Sequence, residues 1–244
     1  MSLPCNSAVR YNMLYYDFHI HSALSPCGDN DMTPNNIVNM AAISGLDAVA
    51  VSDHNSVKNV KAAIKAGETA GITVIPGMEV ETEEEVHILT LYPDISSAEE
   101  AAKVVYEALP DIKNRPEIFG EQLIMDELDR VVGIEEKMLI SPTTLSVNRL
   151  FDVVKSVGGL FIPAHIDRHS YSILTNLGFM PEDLDIKTIE LSKRTQDVNA
   201  YLESRPELKR YKVIQNSDAH YLENISQKDA FLNIDNAFDI FIKE

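Results

Sequence analysis

The chain has no tryptophan, only two cysteines (Cys5 and Cys27), and 7% aromatic residues in a length of 244. Two thiols are too few to staple a domain of this length, so a disulfide framework is excluded and a reduced, cytoplasmic setting is expected. The scarcity of aromatics leaves no evident platform for stacking successive bases. No apolar run approaches the roughly 20 residues that cross a bilayer. Residues 1–13 hold one basic residue and no long apolar stretch, which does not read as a signal peptide. Positive charge is sparse as well: 21 Lys+Arg stand against 38 Asp+Glu, a formal net charge of −17. So acidic a surface repels polyanions, and the expected partner is a small anionic substrate, with neither a nucleic-acid duplex nor a membrane. Cations bound by some of those carboxylates would reverse the sign locally, which keeps a small anion attractive as a ligand.

What is present is a 45% hydrophobic content, enough for the core of one large domain. Thr33-Pro34 reads as an N-cap followed by proline at the first helical position, and Ile37, Val38, Ala41 and Ala42 give an apolar face that Gly45 ends. Residues 47–52 read as a buried strand, and Asp53-His54 follows at once. The pattern then recurs. A helix over about 57–70 stops at Gly71, residues 72–75 are strand-like, and Glu79 lies just beyond. A third helix carries Leu150, Phe151, Val153, Val154 and Val157 and stops at Gly158, after which residues 160–162 lead to His165. Short runs at 188–191 and 213–215 complete the series, the second leading into Asp218 and His220. Such alternation predicts an α/β fold, with a mostly parallel sheet or barrel whose active site sits at the strand ends. Periodicity does not choose between barrel and open sheet. Residues from about 110 to 142 break the rhythm and read as an insertion in a single domain spanning 1–244, with a short helix or hairpin around 123–132.

The chemistry begins at Asp17-Phe18-His19-Ile20-His21, beyond the run Leu14-Tyr15-Tyr16. Residues two apart on a strand point to one face, so both imidazoles can reach one metal. Strand histidines often only satisfy a core hydrogen bond, and the pair alone leaves both readings open. Of the seven histidines, however, His19, His21, His54, His165 and His220 all follow predicted strands, leaving His87 and His169. Carboxylates accompany two of them, in Asp53-His54 and Asp218-Ala219-His220. Acid beside histidine is what a metal cluster needs, for charge neutralisation and for fixing the ring tautomer.

Six ordered motifs extend this pattern: Asp17-Phe-His19-Ile-His21, Ser52-Asp53-His54-Asn55, Pro76-Gly77-Met78-Glu79-Val80, Val86-His87-Ile88-Leu89, Pro163-Ala164-His165-Ile166-Asp167 and Asn216-Ser217-Asp218-Ala219-His220. In these the chain resembles the PHP (polymerase and histidinol phosphatase) superfamily over nearly its whole length. The resemblance implies a distorted seven-stranded (β/α) barrel with two or three divalent metals, zinc, manganese or iron, at its C-terminal mouth. It implies metal-dependent hydrolysis of a small phosphoester (phosphomonoester, nucleotide or short oligonucleotide) by a metal-bridging hydroxide. It assigns one metal to His19, His21, Glu79 and Asp218, and a second to Glu79, His87 and His165, with Glu79 as the bridge. A third would take His54 and His220. There the sequence departs from the commoner pattern of an Asp or His soon after the second histidine. Cys27 or Asp29 supplies the remaining ligand; Asp29 is preferred, as it suits hard ions such as manganese, whereas Cys27 would favour zinc. Asp53 would orient a ligand, while Arg168, His169 and Arg194, each just after a motif or strand, are the candidates for substrate contact. Two other readings compete: a non-catalytic, regulatory metal-binding PHP domain, and an amidohydrolase-like C–N hydrolase. For the latter the strand ends offer no convincing lysine.

Overall fold

The computed structural model describes residues 13–233 and 237–241. Cys5 and most of the N-terminal stretch tested for a signal peptide lie outside them. Strand β1 (Met13–Ile20) is followed by α1 (Pro34–Ile43), whose Thr33 cap accepts a hydrogen bond from the Asn36 amide. Strand β2 (Ala48–Val51) leads to α2 (Val60–Ala70), which Gly71 ends in the left-handed conformation that glycine adopts without a Cβ penalty. Strand β3 (Thr73–Glu81) then pairs parallel to β2, as β2 does to β1.

The expected alternation breaks next. Glu79 lies inside β3, because residues 77–81 stay paired with β4 (His87–Leu91) in an antiparallel ladder. Only residues 82–86 join the two strands, and a parallel crossover needs a dozen or more residues. Helix α3 (Ile95–Ala108) follows, capped by Asp94. The segment that broke the sequence rhythm holds α4 (Pro116–Phe119) and a hairpin of β5 (Leu123–Met125) and β6 (Val131–Ile134). Helix α5 (Val147–Ser156) precedes β7 (Leu160–Pro163), which pairs antiparallel to β4. After α6 (Ile173–Asn176) come β8 (Thr188–Ser192), α7 (Val198–Ser204) and β9 (Lys212–Asn216), with β8 and β9 parallel. Last, β10 (Phe231–Asn233) runs antiparallel to β1.

The result is an α/β fold whose main sheet has six strands in the order β10-β1-β2-β3-β4-β7, curled as a half-barrel, with β8-β9 as a separate parallel pair. A few backbone bonds tie that pair to the main sheet: Ile166 N donates to Glu190 O at 2.9 Å, His21 N to Ala219 O at 2.9 Å and Ala219 N to His19 O at 3.3 Å. Alternate residues of β2 enter two core clusters, Val49 and Val51 in one, Ala48 and Ala50 in the other. Burial on both faces is why these strands read as continuous apolar runs. The interior cluster, with Phe18, Ile75, Leu89, Ile162 and Ile214, lies beneath the strand ends that carry the histidines.

Candidate metal centre

A bulge in β1 creates the first half of the site. Asp17 pairs with Val49 but Ile20 with Val51, so β1 carries one extra residue there. Leu14, Tyr16 and Phe18 share the interior cluster, whereas Ile20 joins the outer one. The parity of side chains has flipped, and His19 and His21 now face inward, as bulges re-aim side chains. Beyond β2, the residues Asp53-His54-Asn55 continue alongside β3, with Asn55 N donating to Glu79 O at 2.8 Å. His165 and Asp218 hold positive φ values of 31° and 54° just past β7 and β9. Such non-glycine backbone strain concentrates at functional sites.

These elements gather five imidazoles around one buried carboxylate. Glu79 Oε1 lies 3.0 Å from His87 Nδ1, 3.2 Å from His19 Nε2 and 3.2 Å from His165 Nε2. Its Oε2 lies 3.1 Å from His54 Nδ1 and 3.4 Å from His21 Nε2. Asp218 Oδ1 adds contacts of 3.0 Å to His21 Nε2 and 3.5 Å to His19 Nε2.

The outer ring nitrogens are already committed. His19 Nδ1 donates to Glu190 at 3.1 Å, and His220 Nδ1 donates to the Asp218 carbonyl at 2.8 Å. His21 Nδ1 is 3.1 Å from Ser25 Oγ, whose own proton goes to Asp53 Oδ1 at 2.7 Å. That arrangement leaves a lone pair on Nε2 of each ring, the form that ligates metal. Asp53 therefore acts on His21 through Ser25, and it also holds the Ser22 amide at 2.7 Å.

The electrostatics set buried acids against the rings that crowd them. Burial opposes ionisation of Glu79, yet His87, His19 and His54 outweigh it and hold the carboxyl well below its usual range. Burial likewise opposes protonation of His87, but Glu79 overrides it and raises His87 to about 9. Burial and the His21 ring push His220 down to about 4. The buried atoms His19 Nε2, His54 Nδ1 and His165 Nδ1 have no hydrogen-bond partner. Ring nitrogens crowded onto shared carboxylates, two of them with no hydrogen-bond partner there, fit divalent metals, and three sets of ligand atoms lie mutually within 4.8 Å. They are His19, His21, Glu79 and Asp218; His54, Glu79 and His87; and His21, Cys27, His54 and His220.

The structure brings Cys27 to the cluster and leaves out the preferred Asp29, which belongs to none of these groups. Turns closed by Ser25 N on Ser22 O and Gly28 N on Ser25 O bring Cys27 to the cluster, while Asp29 Oδ1 accepts the Asp31 amide instead. Cys27 is exposed as a residue, but its thiol is crowded, and desolvation with the charges of Glu79 and Asp218 pushes it up. A cavity of about 250 Å³ opens over the cluster, lined by Cys27, His54, His87, Ile140, Arg168 and Tyr171 among others. Arg168 Nη1 reaches Asp218 Oδ2 at 2.6 Å. His169 and Arg194 are exposed and do not line the cavity.

Sequence reasoning passed over Glu190 and Tyr171. Glu190 accepts from His19 Nδ1, from the His165 amide at 2.9 Å and from Asn216 Nδ2 at 2.6 Å. An acid within the apolar run 188–191 was its only signal. The Tyr171 ring stacks on His87 with centroids 4.6 Å apart, and nothing in the sequence marked it.

A family model for the PHP domain matches residues 17–137 of the chain. A 5'-3' exoribonuclease of Haemophilus influenzae is 33% identical over 79 residues, 31% of this chain and 28% of that protein. The lesion-specific endonuclease Q of Pyrococcus furiosus has a similar fold, with a TM-score of 0.65 and 19% identity over 86% of this chain and 49% of its own. An endonuclease Q complex holding a 27-mer duplex substrate with an abasic lesion at its active site matches with a TM-score of 0.65 and 18% identity, over 86% of this chain and 50% of its own. A Bifidobacterium adolescentis protein assigned as a metal-dependent phosphoesterase matches with a TM-score of 0.57 and 17% identity, over 91% and 93% of the two chains. The chain thus spans about half of the endonuclease and less than a third of the exoribonuclease. The duplex complex overturns the expectation of a small anion in place of nucleic acid. Net charge is a property of the whole surface, whereas a phosphate would meet the local field, to which Arg168 and any bound cation contribute positive charge.

Proposed function

We propose that this chain, which carries a PHP domain, is a divalent-metal-dependent phosphoesterase that hydrolyses phosphodiester bonds of nucleic acid. The carrying observation is Glu79, buried beneath five imidazole nitrogens at 3.0–3.4 Å with Asp218 alongside. We assign one cation to His19, His21, Glu79 and Asp218, and a second to Glu79, His87, His165 and His54. A divalent cation in such a site acidifies water and draws charge from a phosphoryl oxygen.

The chain's own groups do the rest. Glu190 and Ser25 fix the tautomers of His19 and His21. Arg168, fastened to Asp218 and facing the cavity, supplies a fixed positive charge for a non-bridging phosphate oxygen. At about 250 Å³ the cavity falls below the roughly 300–1,000 Å³ of typical ligand pockets, so it takes one phosphate and its sugar while the rest of a polymer lies outside. We read residues 110–142 as an insertion that walls the site, since Ile140 lines the cavity and Asn55 Nδ2 holds the Leu139 carbonyl at 2.7 Å. We also read β8-β9 as closing β1-β2-β3-β4-β7 into a seven-stranded barrel with β10 outside it, which the bonds at Ile166 and Ala219 support.

The test is hydrolysis by protein stripped of metal and then reloaded with Mn²⁺ or Zn²⁺. Substrates are end-labelled single-stranded RNA and DNA, and duplex DNA with and without an abasic site. The expected result is metal-dependent cleavage of at least one strand type, lost in Glu79→Gln. A fully loaded protein that cleaves none of them would sink the proposal.

A further inference from the structure

The loop after β7 is pinned along its length. Arg168 N donates to His165 O at 2.9 Å, Thr175 Oγ1 to Arg168 O at 2.8 Å, and His87 N to Tyr171 O at 2.9 Å. Within it Tyr171 holds a φ of 55°. A bulky side chain is strained in that left-handed region, where glycine would fill the turn without penalty. What tyrosine supplies there is its ring. That ring lies nearly parallel to His87, 19° off with centroids 4.6 Å apart, so one of its faces is covered. The residue is still 46% exposed, and among the described residues no other ring or cation is stacked on it.

The open face stands at the cavity over the metal-binding groups, of whose lining Tyr171 and Ile140 are the bulky apolar members. Arg168 precedes Tyr171 in the same loop, and its buried Nε has no hydrogen-bond partner. A cavity of about 250 Å³ holds a phosphate and its sugar, so the base on that sugar lies at the rim. An aromatic face beside a cation suited to phosphate is a stacking site for a nucleobase. A base inside a duplex has both faces taken by its neighbours and reaches such a ring only when unpaired and out of the stack.

We infer that Tyr171 is a stacking platform for one unpaired nucleobase beside the scissile phosphate, so that the chain cuts phosphodiesters flanked by an unpaired base. The inference rests on the nucleic-acid reading above and adds to it the group that receives the base. Every base has a π-face, so one ring selects unpaired over paired nucleotides without reading their sequence.

Because the ring also packs on His87, removing it disturbs the metal centre, and substrates that differ only in a base separate the two effects. Metal-loaded protein is given short single strands with one cleavable phosphodiester, the other linkages being methylphosphonates. The base on each side of that phosphodiester is in turn present or replaced by hydrogen. By kcat/KM the unaltered protein should cut the complete strand at least about fivefold better than one of the strands missing a flanking base. Tyr171→Ala should erase that preference, Tyr171→Phe should keep it, and pairing the strand with its complement should slow the unaltered protein. Absence of the preference, a Tyr171→Ala loss equal on complete and base-free strands, or a paired strand cut as well as a single one overturns the platform alone. Failure of the metal-loaded protein to cut these strands and the longer substrates named above overturns the nucleic-acid reading itself.

Discussion

One carboxylate shows how much a single residue organises here. Glu190 sits on β8, yet it receives hydrogen bonds from His19 on β1, from the His165 amide beyond β7 and from Asn216 on β9. It fixes the His19 tautomer and keeps that ring basic; burial would lower the His19 pKa, but Glu190 and Glu79 hold it well above the usual value. Replacing Glu190 with Gln keeps the shape and removes the charge. Outer partners of metal-binding histidines are worth roughly 10–100-fold in metal affinity or activity. Competition with a chelator should therefore show Glu190→Gln losing metal about that much more readily, with a native circular-dichroism spectrum. Unchanged metal retention would mean that Glu190 only braces strands.

At the level of elements, α2 packs against β3 through a glycine. Replacing glycine by alanine in an open helix is worth roughly 0.5–1 kcal/mol of stabilisation. At Gly67 the new Cβ would stand 2.6 Å from Ile72 O and 2.7 Å from Val74 Cγ2. Overpacking of that kind costs about 1–3 kcal/mol, which outweighs the helical gain. Gly67→Ala should shift the denaturant midpoint downward with an unchanged slope, and a stabilised variant would contradict the close contact. The elements themselves were unequally legible. The helices ending at Gly45, Gly71 and Gly158 announce themselves by cap and apolar stripe. Helix α3 was missed because its buried stripe is Ala98, Ala101 and Val105, too small to stand out in an alanine-rich run. The β3-β4 hairpin was missed because β3 contains Pro76 and Gly77, which read as the end of a strand and not its middle.

For the whole molecule, the cost of emptying the centre follows from burial. Asp53, Glu79 and Glu190 are each at most 1% exposed, within an acidic chain of net charge −17. Ions that bind only the folded state stabilise it by about 4 kcal/mol when present at a thousand times their Kd. Calorimetry should show the transition fall on chelation and return on adding back zinc; an unchanged transition would mean that the centre closes without ions. The sequence by itself determined the α/β class and the recurrence of histidine and acid just past the strands, because local propensity, capping and residue type are written residue by residue. It misjudged the partner, since net charge averages over a surface on which a phosphate meets only one mouth. Only the tertiary structure decided that five rings converge on Glu79, that Cys27 rather than Asp29 meets them, and that Glu190 stands behind His19. Those choices depend on a bulge in β1, a short hairpin and a turn packed against Gly120, each a matter of distances between residues far apart in the chain.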